Sequence, residues 1–173
     1  SSVEWIDPSS YIFPVLESHI AEYAIDDRLR ELFTPRIEIV PIDGMTDGAA
    51  RTALRAKHHL SDEELIVLFG DQYIRGPVQS TIQHTDSEGL IAVFNASDPR
   101  WSYAKTNDKG VVTKVAEKKV ISSNATVGLY YFNSGTDFVE GTEQMIRKGV
   151  RTNGLFYVSP VYNELIEMDK RVE

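Results

Sequence analysis

Apolar residues fall along the 173-residue chain in short runs separated by polar turns. Tyr11-Ile-Phe-Pro-Val-Leu16 is a continuous run of strand length, and it predicts a strand buried on both faces. Pro14 is the blemish in it, because proline cannot donate to a ladder. Ile20, Tyr23, Ala24, Leu29 and Leu32 fall on an approximately helical stripe, which predicts a helix from a cap at Ser18 to about Phe33, stopped by Pro35. Arg36–Ile42 alternates and is rich in Ile and Val, so it reads as a strand. A loop, Asp43-Gly-Met-Thr-Asp-Gly48, feeds a small-residue helix over Ala49–Leu60. Leu65–Phe69 is a second buried strand ending in Gly70-Asp71. A helix is predicted over Pro77–His84, then a turn, then a third apolar strand over Leu90–Asn95.

Beyond that point the period changes. Tyr103–Thr106 and Val111–Ala116 read as strands joined by Asn107-Asp108-Lys109-Gly110, residue types that tolerate the positive φ of hairpin turns. Val127–Phe132 is a further strand and Gly135–Lys148 an amphipathic helix. Ser159-Pro160 reads as an N-cap followed by proline at the first helical position, with a helix to about Met168. Strands alternating with helices over the first 95 residues predict a mostly parallel α/β sheet, and the hairpin predicts an antiparallel extension. No repeat or linker interrupts the chain, so residues 1–173 read as a single domain.

Composition narrows the function. The chain is 42% hydrophobic and 25% charged, which excludes disorder as its main description. The longest apolar run, Leu65–Phe69, is far short of the ~20 residues of a membrane helix. Net charge is −8, and the longest basic run is Lys118-Lys119, so the basic footprint of a nucleic-acid binder is missing. There are no cysteines, which removes disulfides, thiolate ligands and thiol nucleophiles and fits a cytoplasmic location. Asn95-Ala-Ser97 and Asn124-Ala-Thr126 match the glycosylation pattern, but without a signal peptide they read as chance matches. The chain opens on Ser1-Ser2, so it is expected to be processed, trimmed or cut from something longer.

Three places could carry chemistry. Asp71 stands directly after a buried strand, where ligands bind in open α/β sheets, and a carboxylate there could hold Mg²⁺ or simply cap a turn. The Asp43–Ala50 stretch could press backbone N–H groups against a ligand at Gly48 and Ala49, or could be a tight turn before a close-packed helix. It is neither a Walker loop nor a dinucleotide fingerprint, since no two glycines are separated by one residue. Glu117 and Lys118, after the hairpin, could take sugar hydroxyls and phosphate, or could be a solvated strand end. The four histidines do not cluster, no Gly-x-Ser-x-Gly elbow is present, and Tyr130-Tyr131-Phe132 reads as core strand.

The order of these elements resembles the sugar-1-phosphate nucleotidyltransferases, in particular the small enzymes of capsule and surface-polysaccharide pathways, from about Tyr11 to the C-terminus. The elements that carry it are the strand, the Gly-Ala-Ala helix and the apolar strand ending Gly70-Asp71-Gln72. They continue through Asp98-Pro-Arg-Trp-Ser-Tyr103-Ala104, the hairpin, Ala116-Glu117-Lys118-Lys119 and Val127-Gly-Leu-Tyr-Tyr-Phe132. The resemblance implies a Rossmann-like α/β/α sandwich of the glycosyltransferase-A (nucleotide-diphospho-sugar transferase) type. It implies that Gly48 and Ala49 lie against a nucleotide base, that Asp71 holds catalytic Mg²⁺ beside Gln72, and that Tyr103 and Ala104 lie near the sugar. It further implies that Glu117 and Lys118 contact sugar and phosphate, Lys118 taking part in catalysis. Asn163, in Tyr162-Asn163, is where a second metal or sugar contact falls.

One departure bears on activity. The family opens with a strand and a loop of the form Gly-x-Gly-x-Arg, followed by Lys-Pro, which binds and activates the triphosphate. This sequence contains neither and starts at what resembles the second strand. The expected partners are therefore a nucleotide and a sugar phosphate, with chemistry absent. A non-catalytic nucleotide-sugar binding module is the alternative. A metal-dependent glycosyltransferase is disfavoured because it wants Asp-x-Asp where this chain has Gly70-Asp71-Gln72. A sheet lacking that strand would either close up or be filled from outside, and association as a homodimer is the expectation.

Overall fold

The structure is a computed structural model that describes residues 8–33, 36–71, 74 and 76–173. Pro35 and Gln72 lie outside the described residues. The described elements run β1 (Tyr11–Leu16), α1 (Glu17–Tyr23), α2 (Ile25–Leu32), β2 (Ile37–Ile42), α3 (Ala49–Leu54), β3 (Leu65–Leu68) and α4 (Val78–Gln83). They continue with β4 (Gly89–Asn95), β5 (Tyr103–Thr106), β6 (Val112–Ala116), β7 (Asn124–Phe132), α5 (Gly135–Lys148) and α6 (Val161–Glu167). The helix expected from Ser18 to Phe33 is two helices, because Ala24 adopts φ 47° and breaks the stripe. The Ala49–Leu60 helix ends at Leu54 and resumes as a 3-10 turn over Lys57–His59.

The sheets do not follow the parallel expectation. β1 and β2 pair in parallel as a separate two-stranded ribbon, Tyr11 opposite Ile37 through Leu16 opposite Ile42. The other five strands form a mainly antiparallel sheet built on β7. β3 lines one side of β7, with Leu65 opposite Phe132 and Leu68 opposite Leu129. β4 lines the other side, with Gly89 opposite Phe132 and Asn95 opposite Asn124. β3 and β4 therefore run the same way, as strand–helix alternation suggests, but a late antiparallel strand separates them. Periodicity reports the faces of a strand and not its neighbour, so it could not show this.

β7 is the most buried strand, because both its faces and both its edges are covered. Leu129, Tyr130, Tyr131 and Phe132 are all buried. Phe132 stacks on Tyr162 of α6, centroids 4.7 Å apart and 7° from parallel, and meets Phe138 of α5 edge-on at 5.1 Å. Such pairs add about 0.5–1.5 kcal/mol each beyond burial. The Tyr162 hydroxyl points at the main-chain carbonyls of Leu90 and Tyr131, 3.0 and 2.8 Å away, fixing α6 across β4 and β7. α5 starts where the sequence placed it, since the Ser134 hydroxyl accepts from the N–H groups of Thr136 and Asp137. The Glu164 carboxylate, buried between α5 and α6, accepts from Lys148 Nζ at 2.6 Å.

The C-terminal half covers its own sheet edges. Residues 171–173 run along β4, with Gly89 N–H on the Arg171 carbonyl and Ile91 N–H on the Glu173 carbonyl. The Asn163 amide closes the outer edge of β6, accepting from Val115 N–H at 2.8 Å and donating to the Val115 carbonyl at 2.9 Å. The first 80 residues differ. Among those described, only Ile42, Ala50 and Ala56 are buried, and all of β1 and β3 is half-exposed. Phe33, at the end of α2, covers one face of the ribbon through Tyr11 and Phe13. The Tyr11 N–H bonds the Arg36 carbonyl, which in this register turns Tyr11, Phe13 and Val15 toward β2. Pro14 and Pro41 then both face away from the shared ladder, which is how the ribbon tolerates them.

Candidate functional site

The site is assembled by the short segment Phe156–Ser159, which runs from the Gly48 turn to Glu117. At one end, Phe156 N–H donates to the Asp47 carbonyl at 2.8 Å and Ala50 N–H donates to the Phe156 carbonyl at 3.1 Å. Gly48 sits between these bonds at φ +127°, and a Cβ there would lie 2.2 Å from the Phe156 carbonyl oxygen. The position therefore requires glycine for two reasons, backbone conformation and close approach. The turn is braced by Thr46 and Thr52, whose hydroxyls share a 2.6 Å hydrogen bond. Arg151 Nη2 pairs with Asp47 Oδ2 at 2.7 Å and its guanidinium lies 4.0 Å from the Phe156 ring centre. Burial pushes the Asp47 carboxyl up, but the Arg151 hydrogen bond, its own main-chain N–H and the charges of Arg51 and Arg151 outweigh this and hold it below the usual carboxylate range.

At the other end of the segment, the Ser159 hydroxyl donates to Glu117 Oε2 at 2.9 Å, and the Ser102 hydroxyl donates to the same oxygen. One Glu117 oxygen is thus held by two donors, while no hydrogen bond to Oε1 occurs among the described residues. Tyr157 lies beneath the Lys118 ammonium, 5.5 Å from its ring centre. Lys118 itself takes φ +52°, a conformation non-glycine residues seldom adopt. Tyr103 and Ala104 follow Ser102 on β5 but are fully buried; the Tyr103 hydroxyl donates to the Asp98 carbonyl at 2.7 Å. The Asn163 amide is occupied at both ends by Val115.

Gly48, Ala49, Glu117 and Lys118 therefore come together through one connection, with Tyr103 and Ala104 packed behind them. Asp71 is exposed just past β3, an edge strand of the five-stranded sheet. Phe69, two residues earlier, meets the Tyr130 ring edge-on at 6.2 Å, and the Tyr130 hydroxyl feels Glu117, Ser102 and Ser159. Asp71 thus leaves the sheet at the end where Glu117 sits, though no hydrogen bond or ion pair joins them among the described residues. No group of three His, Asp or Glu poised for a metal occurs among the described residues. Gln72 lies outside them.

Two contributors were not legible as such. Ser159-Pro160 reads as a helix cap in the sequence, but the N-cap of α6 is Pro160 without a side-chain bond, and the Ser159 hydroxyl serves Glu117 instead. Ser102 lies inside the Asp98–Ala104 motif, and nothing local marks it. A cavity of about 440 Å³ adjoins the site, lined by Pro14, Val15 and Leu16 of β1, Ile42, and Ala49 and Thr52 of α3.

No family model and no curated protein matches the chain. Solved structures do match. A nucleoside-diphosphate-sugar pyrophosphorylase from Vibrio cholerae RC9 superposes with TM-score 0.75 at 23% identity, covering 99% of this chain and 73% of its own. HddC from Yersinia pseudotuberculosis gives 0.66 at 15% identity, covering 99% and 71%. The inositol-1-phosphate CTP transferase from T. maritima gives 0.69 at 13% identity, covering 95% and 64%.

Two outcomes test the geometry. Gly48→Ala is expected to break the Asp47–Phe156–Ala50 bonding and to cost about 2–3 kcal/mol of stability in urea unfolding; an unchanged midpoint contradicts the close approach. Tyr130 is pushed up to about 12, first by burial and then by Glu117, against hydrogen bonds with Thr126, Ser102 and Ser159. Its folded value is raised above the ordinary 10.0, so its contribution to stability is intact below about pH 10 and is lost as pH rises through about 12. Phenolate absorbance should show a late-titrating group that disappears in Tyr130→Phe; an identical titration in the variant overturns the assignment. Together these matches show an α/β fold shared with nucleotidyltransferases and pyrophosphorylases.

Proposed function

We propose that this chain is the substrate-holding part of a sugar nucleotidyltransferase, an enzyme that transfers a nucleotidyl group from an NTP to a sugar-1-phosphate during surface-polysaccharide precursor synthesis. The observation that carries this reading is the Phe156–Ser159 connection, which ties the Gly48 turn to Glu117 and Lys118. The structural neighbours support it, since their names describe pyrophosphorylase and CTP transferase activities. In this reading the Gly48–Ala49 turn lies against the nucleotide base. Glu117 Oε1 accepts from a sugar hydroxyl while the two serines fix Oε2. Lys118 presents positive charge to a phosphate, steadied by Tyr157. Tyr103 and Ala104 act from behind, as the packed floor under Ser102. Asn163 supports β6 and so the approach to Glu117.

Magnesium would sit at Asp71. An exposed single carboxylate without a partner among the described residues suits an ion that takes one or two carboxylates and completes its shell with water and phosphate. When bound, the ion would neutralise phosphate charge. The chain's own part is positioning, because in-line attack of a sugar-phosphate oxygen on the α-phosphorus, with pyrophosphate leaving, depends on alignment and charge stabilisation.

No loop of the Gly-x-Gly kind exists in these 173 residues to cradle a triphosphate. The expected outcome is binding without turnover. Pyrophosphate release assayed over a panel of NTPs and sugar-1-phosphates with Mg²⁺ should be absent; a rate within a hundredfold of about 10 s⁻¹ sinks this part. Calorimetry should detect Mg²⁺ binding that Asp71→Ala abolishes, and unchanged binding would reduce Asp71 to a turn residue. A non-catalytic nucleotide-sugar binding module is the second reading, favoured by the same missing loop. Nucleotide-sugar affinity without NTP affinity would select it.

A further inference from the structure

We propose that this chain associates with further copies of itself head to tail, the acidic helix α2 of one copy docking into a basic groove between α3 and α5 of the next. The inference stands on charge and packing and does not depend on the functional reading.

The groove is built by two helices that pack against each other. Leu54 of α3 and Ile146 of α5 form the floor of an opening of about 260 Å³, with Arg51 on one rim and Glu143 and Arg147 on the other. Around this opening the cations outnumber the carboxylates. Asp47 is shared by Arg51 at 3.3 Å and Arg151 at 2.7 Å, and Glu143 is shared by Lys57 at 3.0 Å and Arg147 at 4.0 Å. Arg55 reaches the exposed Asp43 at 3.5 Å. Five cations thus meet three carboxylates, on a chain whose net charge is −8. Such surface pairs are individually weak, so an incoming carboxylate competes for Arg55 and Arg147 at little cost. A small inorganic anion has nothing to set on Leu54 and Ile146. An apolar floor between basic rims suits an amphipathic helix that carries an exposed leucine among acidic residues.

α2 is such a helix. Residues 17–32, which hold α1 and α2, contain five carboxylates and two arginines. Asp27 and Glu31 are exposed one turn apart on α2, and neither forms an ion pair among the described residues. Leu32 continues the apolar stripe of Ile25 and Leu29, but those two are half-buried and Leu32 is 75% exposed. Within one chain α2 packs on α1 and β2, away from the groove that α3 and α5 make, so the docking is between copies. In the docked arrangement Leu32 seats on Leu54 and Ile146, and Asp27 and Glu31 meet Arg55 and Arg147. Helix and groove are different surfaces, so the contact is heterologous and growth continues past a dimer unless the rotation closes a ring.

The test is sedimentation equilibrium on the whole chain. At about 100 µM protein and low salt, the mean mass should rise above 19.5 kDa with concentration. Raising salt from about 50 mM to about 500 mM should weaken the association by about tenfold or more. A groove variant, Arg55→Glu with Arg147→Glu, and a helix variant, Leu32→Asp, should each stay at 19.5 kDa. Mixed in equal amounts, they should form a species of two chains and nothing larger, because only one intact helix can meet one intact groove. That mixture also checks folding, since a misfolded variant offers neither surface. A wild-type chain that stays at 19.5 kDa in low salt overturns the proposal and leaves the groove to an acidic partner of another sequence. Association that survives in either variant, or a mixture without the two-chain species, overturns it as well.

Discussion

The structure depends on β7. It is nine residues long and carries β4 along one side and β3 and β5 along the other, so three strands pair directly with it and β6 joins the sheet through β5. Its ring side chains then anchor the helices, Phe132 through Tyr162 and Phe138 and Tyr130 through Tyr162, while Tyr130 also meets Phe69 just past β3. A strand paired on both edges has no main-chain group left for water, and a strand buried on both faces has no side chain left for it. Removing any of its large rings would cost about 3–5 kcal/mol, a large part of a typical domain's stability.

The site inherits its rigidity from that core. Val158, Val161, Tyr162 and Leu165 are fully buried, so the segment carrying Ser159 is pinned from beneath. The same segment pairs with the Gly48 turn through main-chain bonds, Phe156 N–H to the Asp47 carbonyl and Ala50 N–H to the Phe156 carbonyl. Glu117 is thereby held by hydroxyl donors from two distant parts of the chain, Ser102 before the hairpin and Ser159 after α5. Neutral donors orient the carboxylate without cancelling its charge, unlike the arginines that pair with Asp47. Glu117 is therefore suited to accept from a ligand, and Asp47 to hold a turn.

The two ends of the molecule are finished to different degrees. From Gly89 onward the core is continuous, and Val172, one residue from the C-terminus, is as buried as any residue in it. Among the described residues the β1–β2 ribbon buries only Ile42, and it leans on the aromatic contacts of Phe33 and on α1. Cooperative stability is therefore expected to be highest around β7 and lowest in the ribbon, which stands beside the Gly48 turn.

Local patterns determined the elements. The apolar runs at Tyr11–Leu16 and Leu65–Phe69, the Asn107–Gly110 turn and the amphipathic helix Gly135–Lys148 were all legible, because each is set by residues within a few positions of one another. The break at Ala24 was not, since alanine carries no turn signal and yet adopts φ 47° there. Sheet order was beyond reach for a stronger reason. β7 enters between β3 and β4 although it starts only at Asn124, well after β4 has ended at Asn95, and strand alternation records which face is buried but not which strand is adjacent. The candidate site divides in the same way. Gly48, Glu117 and Lys118 could be singled out one by one, whereas the serines that fix Glu117 acquire meaning only when the fold brings residues 102, 117 and 159 onto one carboxylate oxygen.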